Sequence, residues 1–391
     1  LTFGKHWRHE FPLEPGSTYL NHGTVGVTPR RVLDHQRTLM EQIERQPSRF
    51  LLRELASFSV GESAAQPRMR AAADAVAAFL GGRGEDLVFV DNATTGINAV
   101  LRSFPFEPGD ELLVTDLGYG GVARAAEFAT RERGASLRAV TMPYPATADA
   151  LERAWLDAIG PRTRLAIVDH ISAESALVFP VAAIAAGLRS RGVAVLVDGA
   201  HAPGAIPLDI PALGADYYVA NLHKWMWTPR SSGILWAAPD RQAGLHPTVI
   251  SWGLDQGFTA EFDLVGTRDP SAHLSAPAAI ALFHEWGLDD IRRYNHRLAC
   301  DGARHLAARW ATEFSTPDAL IGTMATVALP TAAGTVPEDA VHLRTRLLEE
   351  DGIEVQMHAY RDRVRARISA QIYNDMDDIE RFAAAVLRLV A

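Results

Sequence analysis

The 391 residues carry 38 Lys and Arg against 47 Asp and Glu, a formal charge of -9, with 48% hydrophobic residues. Basic residues scattered among acids argue against a nucleic-acid partner, and no apolar run approaches the ~18 residues of a membrane span. The length exceeds the ~250–300 residues at which a single core stops growing, so two domains are expected.

In chain order, the first 20 residues, with Pro12, Pro15 and Gly16, read as an N-terminal arm. Residues 21–265 then read as one large α/β domain. Apolar runs recur at 86–90 (DLVFV), 111–115 (ELLVT), 137–141 (LRAVT), 165–169 (LAIVD), 194–198 (AVLVD) and 216–220 (DYYVA), separated by helical stretches such as 122–133 and 181–191. Runs this apolar between helices predict a mostly parallel sheet covered on both faces. A seventh run, SGILWAA at 232–238, follows after a short connection and is expected to run antiparallel. From 266 to 391 the pattern changes to long amphipathic helices at 291–312 and 337–350, mixed with short strands at 323–329, 353–357 and 364–369, which predicts a smaller α+β domain. The single cysteine, Cys300, falls on one of these helices and cannot form an internal disulfide, which points to a reduced, cytoplasmic setting.

In such sheets ligands gather outside the carboxyl ends of the strands. Asp198 ends AVLVD, and Lys224 follows the next strand inside VANLHKWMWTPRSSG. An acid and an amine at one sheet edge suit pyridoxal phosphate, which needs an amine to hold its aldehyde and a carboxylate to keep its ring nitrogen protonated. Alone, Asp198 is equally a helix cap, a metal ligand or the partner of a buried cation, and Lys224 equally a solvated surface residue. DNATTGIN at 91–98 lies between a strand and a helix, and its N–H groups and hydroxyls could receive a phosphate. By itself it is an ordinary cap formed by Asn92 or Thr94.

Taken together, YLNHGTVGVTPRRVL, DNATTGINAVLRSF, GDELLVTDLGYGGVARA, VDGAHAPG, NLHKWMWTPRSSGILW, GTRDPSA and RISAQIYN resemble the class V aminotransferase superfamily of fold-type I, in its isopenicillin N epimerase-like branch. The resemblance spans nearly the whole chain. It implies a large domain with a mostly parallel seven-stranded sheet, pyridoxal 5'-phosphate as cofactor, an amino-acid-type substrate and no metal. Lys224 would bind the cofactor covalently, and Asp198 would face the ring nitrogen. Thr94, the Thr95 backbone, Asn221 and His223 would hold the phosphate, His201 would touch the phenolic oxygen, and Tyr119 would stack on the ring. Gly266 and Thr267 would complete a neighbour's phosphate site across a homodimer interface. Arg367 would grip the substrate carboxylate, with Asn21 and His22 beside it. Trp225 and Trp227 are expected to pack.

Departures from the family pattern narrow the reaction. The stretch before Arg367, EVQMHAYRDRVRA, lacks the loop cysteine of cysteine desulfurases, and Cys300 lies far upstream. Relatives usually carry Ser-Pro-Thr where this chain has Ala173, Glu174 and Ser175, and Arg230 and Ser231 replace a Lys-Gly pair. Epimerisation at Cα ranks first on the resemblance, then β-elimination, then transamination or decarboxylation. Epimerisation requires a second acid, for which Tyr119, His201, His358 and Glu174 are the candidates. A non-catalytic scaffold is disfavoured by Lys224, Asp198 and Arg367 occurring together.

Overall fold

Alternation within the apolar runs decides how the large sheet is covered. In the computed structural model, which describes residues 2–56 and 66–391, the strands in chain order are β1 (Thr18–Tyr19), β2 (Leu87–Val90), β3 (Glu111–Thr115), β4 (Ser136–Val140), β5 (Thr163–Asp169), β6 (Ala194–Asp198), β7 (Tyr217–Asn221), β8 (Gly233–Ala237), β9 (Met324–Ala328), β10 (Ile353–Glu354), β11 (Gln356–Ala359) and β12 (Val364–Ser369). Leu165, Ile167 and Leu196 enter the core on one face of the sheet, whereas Ala166, Val168 and Val197 enter the core on the other. Both faces are therefore dry, as the continuous runs require.

The seven strands of the large sheet order as β2-β8-β7-β6-β5-β3-β4. Only β8 runs against its neighbours, as expected for the seventh run. In β5 and β6 the last residues, Asp169 and Asp198, are direct register partners, and Asp198 in turn faces Val219 on β7. The carboxyl ends of three strands thus open at one edge.

The small domain is built on an antiparallel sheet of order β11-β12-β9, packed by helices Leu288–Trp310, Pro337–Asp351 and Met376–Val390. Its core begins later than residue 266. Helices Ser271–Leu274 and Ala276–Trp286 bury Leu274, Ile280, Phe283 and Trp286 in the core of the large domain. The indole of Trp227 stacks on Phe283 with centroids 4.1 Å apart and planes 10° apart, and this contact holds the segment to the large sheet. The arm also divides its allegiance. Phe3 and Phe11 join the large core, whereas β1 pairs in parallel with β10 and Leu20 enters the small core.

Candidate active site

The edge where β5, β6 and β7 end opens into a cavity of about 780 Å³ between the two domains. Lys224, Asp198, His201, Tyr119, Thr94 and Arg367 all line it.

Lys224 sits in the turn after β7, and a buried histidine fixes that turn from behind. His22 is fully buried, with Nε2 3.0 Å from the Lys224 carbonyl and Nδ1 2.9 Å from the Tyr373 hydroxyl. A carbonyl only accepts, so Nε2 carries the proton and Nδ1 accepts from Tyr373. Burial holds this imidazole neutral by pushing its pKa down to about 3. The expectation that His22 meets substrate is thus corrected: both ring nitrogens are committed to positioning the Lys224 turn. Trp225 packs on the His22 ring at 4.8 Å, and both tryptophans are buried, so they pack rather than read a ligand.

Burial lowers the Lys224 amine to about 7, Arg367 adds to the shift, and Asp198 opposes it. Its Nζ lies 3.2 Å from His201 Nε2. His201 is held well below its ordinary value, first by burial and then by the cations Lys224 and Arg367. Its Nδ1 is buried without a partner among the described residues. Asp198, raised by burial, accepts from the Ala200 N–H at 3.0 Å. The cavity therefore offers an amine that gives up its proton near neutral pH, a buried carboxyl group and an unpaired imidazole nitrogen.

At the other end, helix Ala93–Ser103 presents its N-terminus. The helix lies close to β7 because position 96 is glycine; a Cβ there would come 2.7 Å from Val219 Cγ1. Asn92 is the cap and accepts from the Thr95 N–H at 2.9 Å, and Asn221 Oδ1 accepts from the Ala93 N–H at 2.9 Å. The Thr95 N–H is thus taken by the cap, whereas Asn221 spends only its amide oxygen there and keeps Nδ2 as a donor on the cavity wall. Thr94 lines the cavity and makes no side-chain hydrogen bond among the described residues. His223 Nδ1 lies 3.0 Å from the Ser232 carbonyl, so Nδ1 donates and Nε2 presents a lone pair. Burial lowers this imidazole to about 4; a phosphate would have to bring a proton to Nε2 to be bonded by it.

Tyr119 caps helix Gly120–Arg133 and remains 53% exposed on the cavity wall, free to cover a planar group. Gly266 and Thr267 are exposed and lie outside this cavity, although the next residue, Arg268, pairs with Asp91 at 2.8 Å beside the helix N-terminus.

Arg367 projects from β12 and is buried. Its Nη2 donates to Thr24 Oγ1 at 2.8 Å, and Nη1 donates to the carbonyl of Ala173. Thr24 donates in turn to Asn21, whose amide donates to Glu354 at 2.8 Å. Asn21 therefore steadies the arginine through Thr24 and does not line the cavity, contrary to expectation. The Nε of Arg367 is buried without a partner among the described residues, and burial lowers the guanidinium to about 10. Arg361 and Arg365 are structural. Arg361 donates to the carbonyls of Tyr144 and Met142, and Arg365 lies 4.9 Å over the Tyr144 ring.

Thr24, Asp169 and Gln356 are among the cavity residues that escaped the sequence reading. Asp169 ends LAIVD in the same way that Asp198 ends AVLVD, so that signal was present. Gln356 faces the cavity as the register partner of Arg367, a pairing that the sequence does not display.

The arrangement fits pyridoxal phosphate. A poised amine, a buried acid, an unpaired His201 nitrogen and a helix N-terminus occupy one cavity of suitable size. The sequence profile of the aminotransferase class-V family matches residues 18–382. A putative L-cysteine desulfhydrase 1 from Oryza sativa subsp. japonica is 34% identical, over 97% of this chain and 84% of its own length. An isopenicillin N epimerase from Amycolatopsis lactamdurans is 32% identical, over 98% and 97%. Among solved structures, a C-DES mutant with glycine covalently linked to its PLP cofactor superposes with a TM-score of 0.78 at 23% identity, covering 97% of this chain and 98% of that one. An apo cysteine desulfurase from Thermococcus onnurineus NA1 gives a TM-score of 0.79 at 19% identity, covering 100% and 98%.

Proposed function

This chain belongs to the class V aminotransferases and uses pyridoxal phosphate; from that premise we propose that it is a β-eliminating C–S lyase acting on a cysteine-type amino acid. The observation that carries this reading is the Lys224 amine, lowered to about 7, opposite Arg367 in one cavity.

Lys224 would hold the cofactor, Asp198 would face its ring nitrogen, His201 its phenolic oxygen, Tyr119 its face, and Thr94 with His223 its phosphate. Bound there, pyridoxal phosphate supplies an electron sink for the pair left behind when a bond to Cα breaks. Arg367 grips the substrate carboxylate at two points and so fixes which Cα bond is aligned for cleavage. The Lys224 amine would be the base that takes the Cα proton. The Cβ–S bond then breaks with its electron pair on sulfur. Glu174, half-buried on the cavity wall and held above the usual carboxylate range by burial, can give that sulfur a proton. With one water the net products are a keto acid, ammonia and a thiol or sulfide.

Relatives named as desulfhydrases and as epimerases match at comparable identity, so resemblance no longer places epimerisation first. Elimination asks less of the face of Cα away from Lys224, where it needs no second group; Glu174 serves only the departing sulfur. Of the acids that epimerisation would need, His201 is tied to the Lys224 amine. His358 lies behind the cavity wall with Leu117, Tyr144 and Arg365. Glu174 and Tyr119 do line the cavity, and they keep epimerisation as a second reading. Cys300 supports no persulfide chemistry: it is buried in the small core, and burial raises its thiol to about 11. Incubation with L-cysteine in deuterated water tests the proposal. Keto acid and ammonia should appear in step with substrate loss. Deuterium at Cα in both configurations without keto acid would replace the lyase reading with the epimerase one.

A homodimer completes the proposal. The stretch 249–254 exposes Val249, Ile250, Trp252 and Leu254, with Trp252 79% exposed, an apolar patch suited to a second copy. Gly266 and Thr267, outside their own cavity, would serve the neighbour's phosphate end. No helix among the described residues is long and apolar enough to cross a membrane.

A further inference from the structure

Asp169 is a buried acid for which the chemistry above has no use. It ends β5 as the direct register partner of Asp198 at the end of β6, and the two strands are parallel. Register partners on neighbouring parallel strands lie about 4.8 Å apart and point their side chains to the same face. Both residues are buried, and both line the cavity. Two carboxyl groups this close in a dry place do not both ionise.

The surroundings of the two differ. Asp198 has the Ala200 N–H at 3.0 Å and the attraction of the Lys224 amine. Asp169 is opposed by Asp198 and by burial, with only its own backbone N–H favouring the charge. The backbone of the loop after β3 closes over it, since a Cβ at Gly118 would stand 3.2 Å from Asp169 Oδ2. Of the histidines nearby, His170 bonds the Tyr218 hydroxyl at 2.9 Å and His201 turns Nε2 to Lys224, and no hydrogen bond from either reaches Asp169 among the described residues.

We propose that Asp169 is a second carboxyl group of the cofactor cradle, a neutral acid that shares its proton with Asp198 and leaves Asp198 as the one anion available to the ring nitrogen. The pair then carries a single negative charge, matching one proton on the ring. Asp169 acts through Asp198 and is a positioning residue. The proton-sharing pair requires no cofactor; its bearing on the ring rests on the cofactor reading above.

Infrared spectroscopy of the full chain at neutral pH, with and without pyridoxal phosphate, tests the pair. The difference spectrum, native minus Asp169→Asn, should hold the carbonyl stretch of a protonated carboxyl group in both states, with the contribution of Glu174 cancelling. Absence of that band from the difference spectrum overturns the proposal. A second measurement compares cofactor uptake by visible absorbance. Asp169→Asn, which keeps a neutral donor, should weaken uptake less than about threefold, whereas Asp198→Asn should weaken it about tenfold or more. Equal losses would mean that both acids are charged, and the proposal fails. If the native chain takes up no cofactor at all, the cofactor reading falls while the infrared band still decides the proton.

Discussion

At the scale of single residues, the displaced acidities make the sharpest predictions. The Lys224 amine is lowered to about 7, so it is protonated below that pH and free to react above it. Uptake of pyridoxal phosphate by the cofactor-free chain should therefore accelerate as pH rises through about 7, rather than near the ~10.4 of an ordinary lysine; stopped-flow absorbance reads the midpoint. The same displacement is a linkage. Between about 7 and ~10.4 the unfolded chain binds one proton more than the folded chain, so the cofactor-free protein gains stability with rising pH across that window. Urea midpoints should show this gain in the native chain, and Lys224→Met should lack that part of it. Arg367→Lys should leave cofactor uptake intact and raise the substrate concentration needed by about tenfold to a hundredfold, because a point charge replaces a two-pronged grip; a fall in cofactor affinity instead would remove Arg367 from the substrate. The reactive residues were legible because they follow apolar runs at the ends of strands. Those that brace them were not: His22 reaches the Lys224 carbonyl across 202 residues, and Asn21 acts through its near neighbour Thr24, whose contact with Arg367 spans 343.

At the scale of elements, every run of the large sheet was readable from apolar content and length: the central strands are buried on both faces and leave few polar interruptions, and even the edge strand β4, largely exposed, keeps Leu137 and Val140. The division between domains was less so. Helix Ala276–Trp286 has the composition of any buried helix, and only its tertiary contacts, such as Phe283 on Trp227 and Trp286 on Phe11, assign it to the large core. Trp227 itself adopts a φ of 60°, uncommon for a bulky residue, and packing on both sides holds it there. The turn that carries Lys224 is braced equally closely from the N-terminal side. Gly26, at φ +69°, leaves room for His223: a Cβ would fall 1.9 Å from its carbonyl oxygen and 3.0 Å from Lys224 Cα. Gly26→Ala should cost about 2–4 kcal/mol of stability, since both the backbone conformation and the contact forbid a side chain. Even where the chain still folds, cofactor uptake should fall, because the Lys224 turn must move. Wild-type uptake in that variant would show that the turn tolerates displacement.

At the scale of the whole molecule, the exposed stretch 249–254 and the displaced Gly266 and Thr267 bear on assembly. Ile250→Asp should shift sedimentation toward the single chain and weaken cofactor uptake along with it; dimers of unchanged strength would place the interface elsewhere. The small domain has a further property in its connectivity. Thr18 and Tyr19 pair with Ile353 and Glu354, and Leu20 is buried in a core otherwise drawn from residues beyond Leu298. On a ribosome Thr18 and Tyr19 emerge more than three hundred residues ahead of their partners Ile353 and Glu354. The large sheet, closed within residues 87–237, can assemble meanwhile. The small domain must therefore finish last, by a contact of very high sequence separation, and closures of that kind are slow and leave apolar surface open while they wait. Nascent chains stalled before Ile353 should hold a folded sheet beside an arm still open to proteases, and release of the last segment should protect the arm and complete the cavity in a single event.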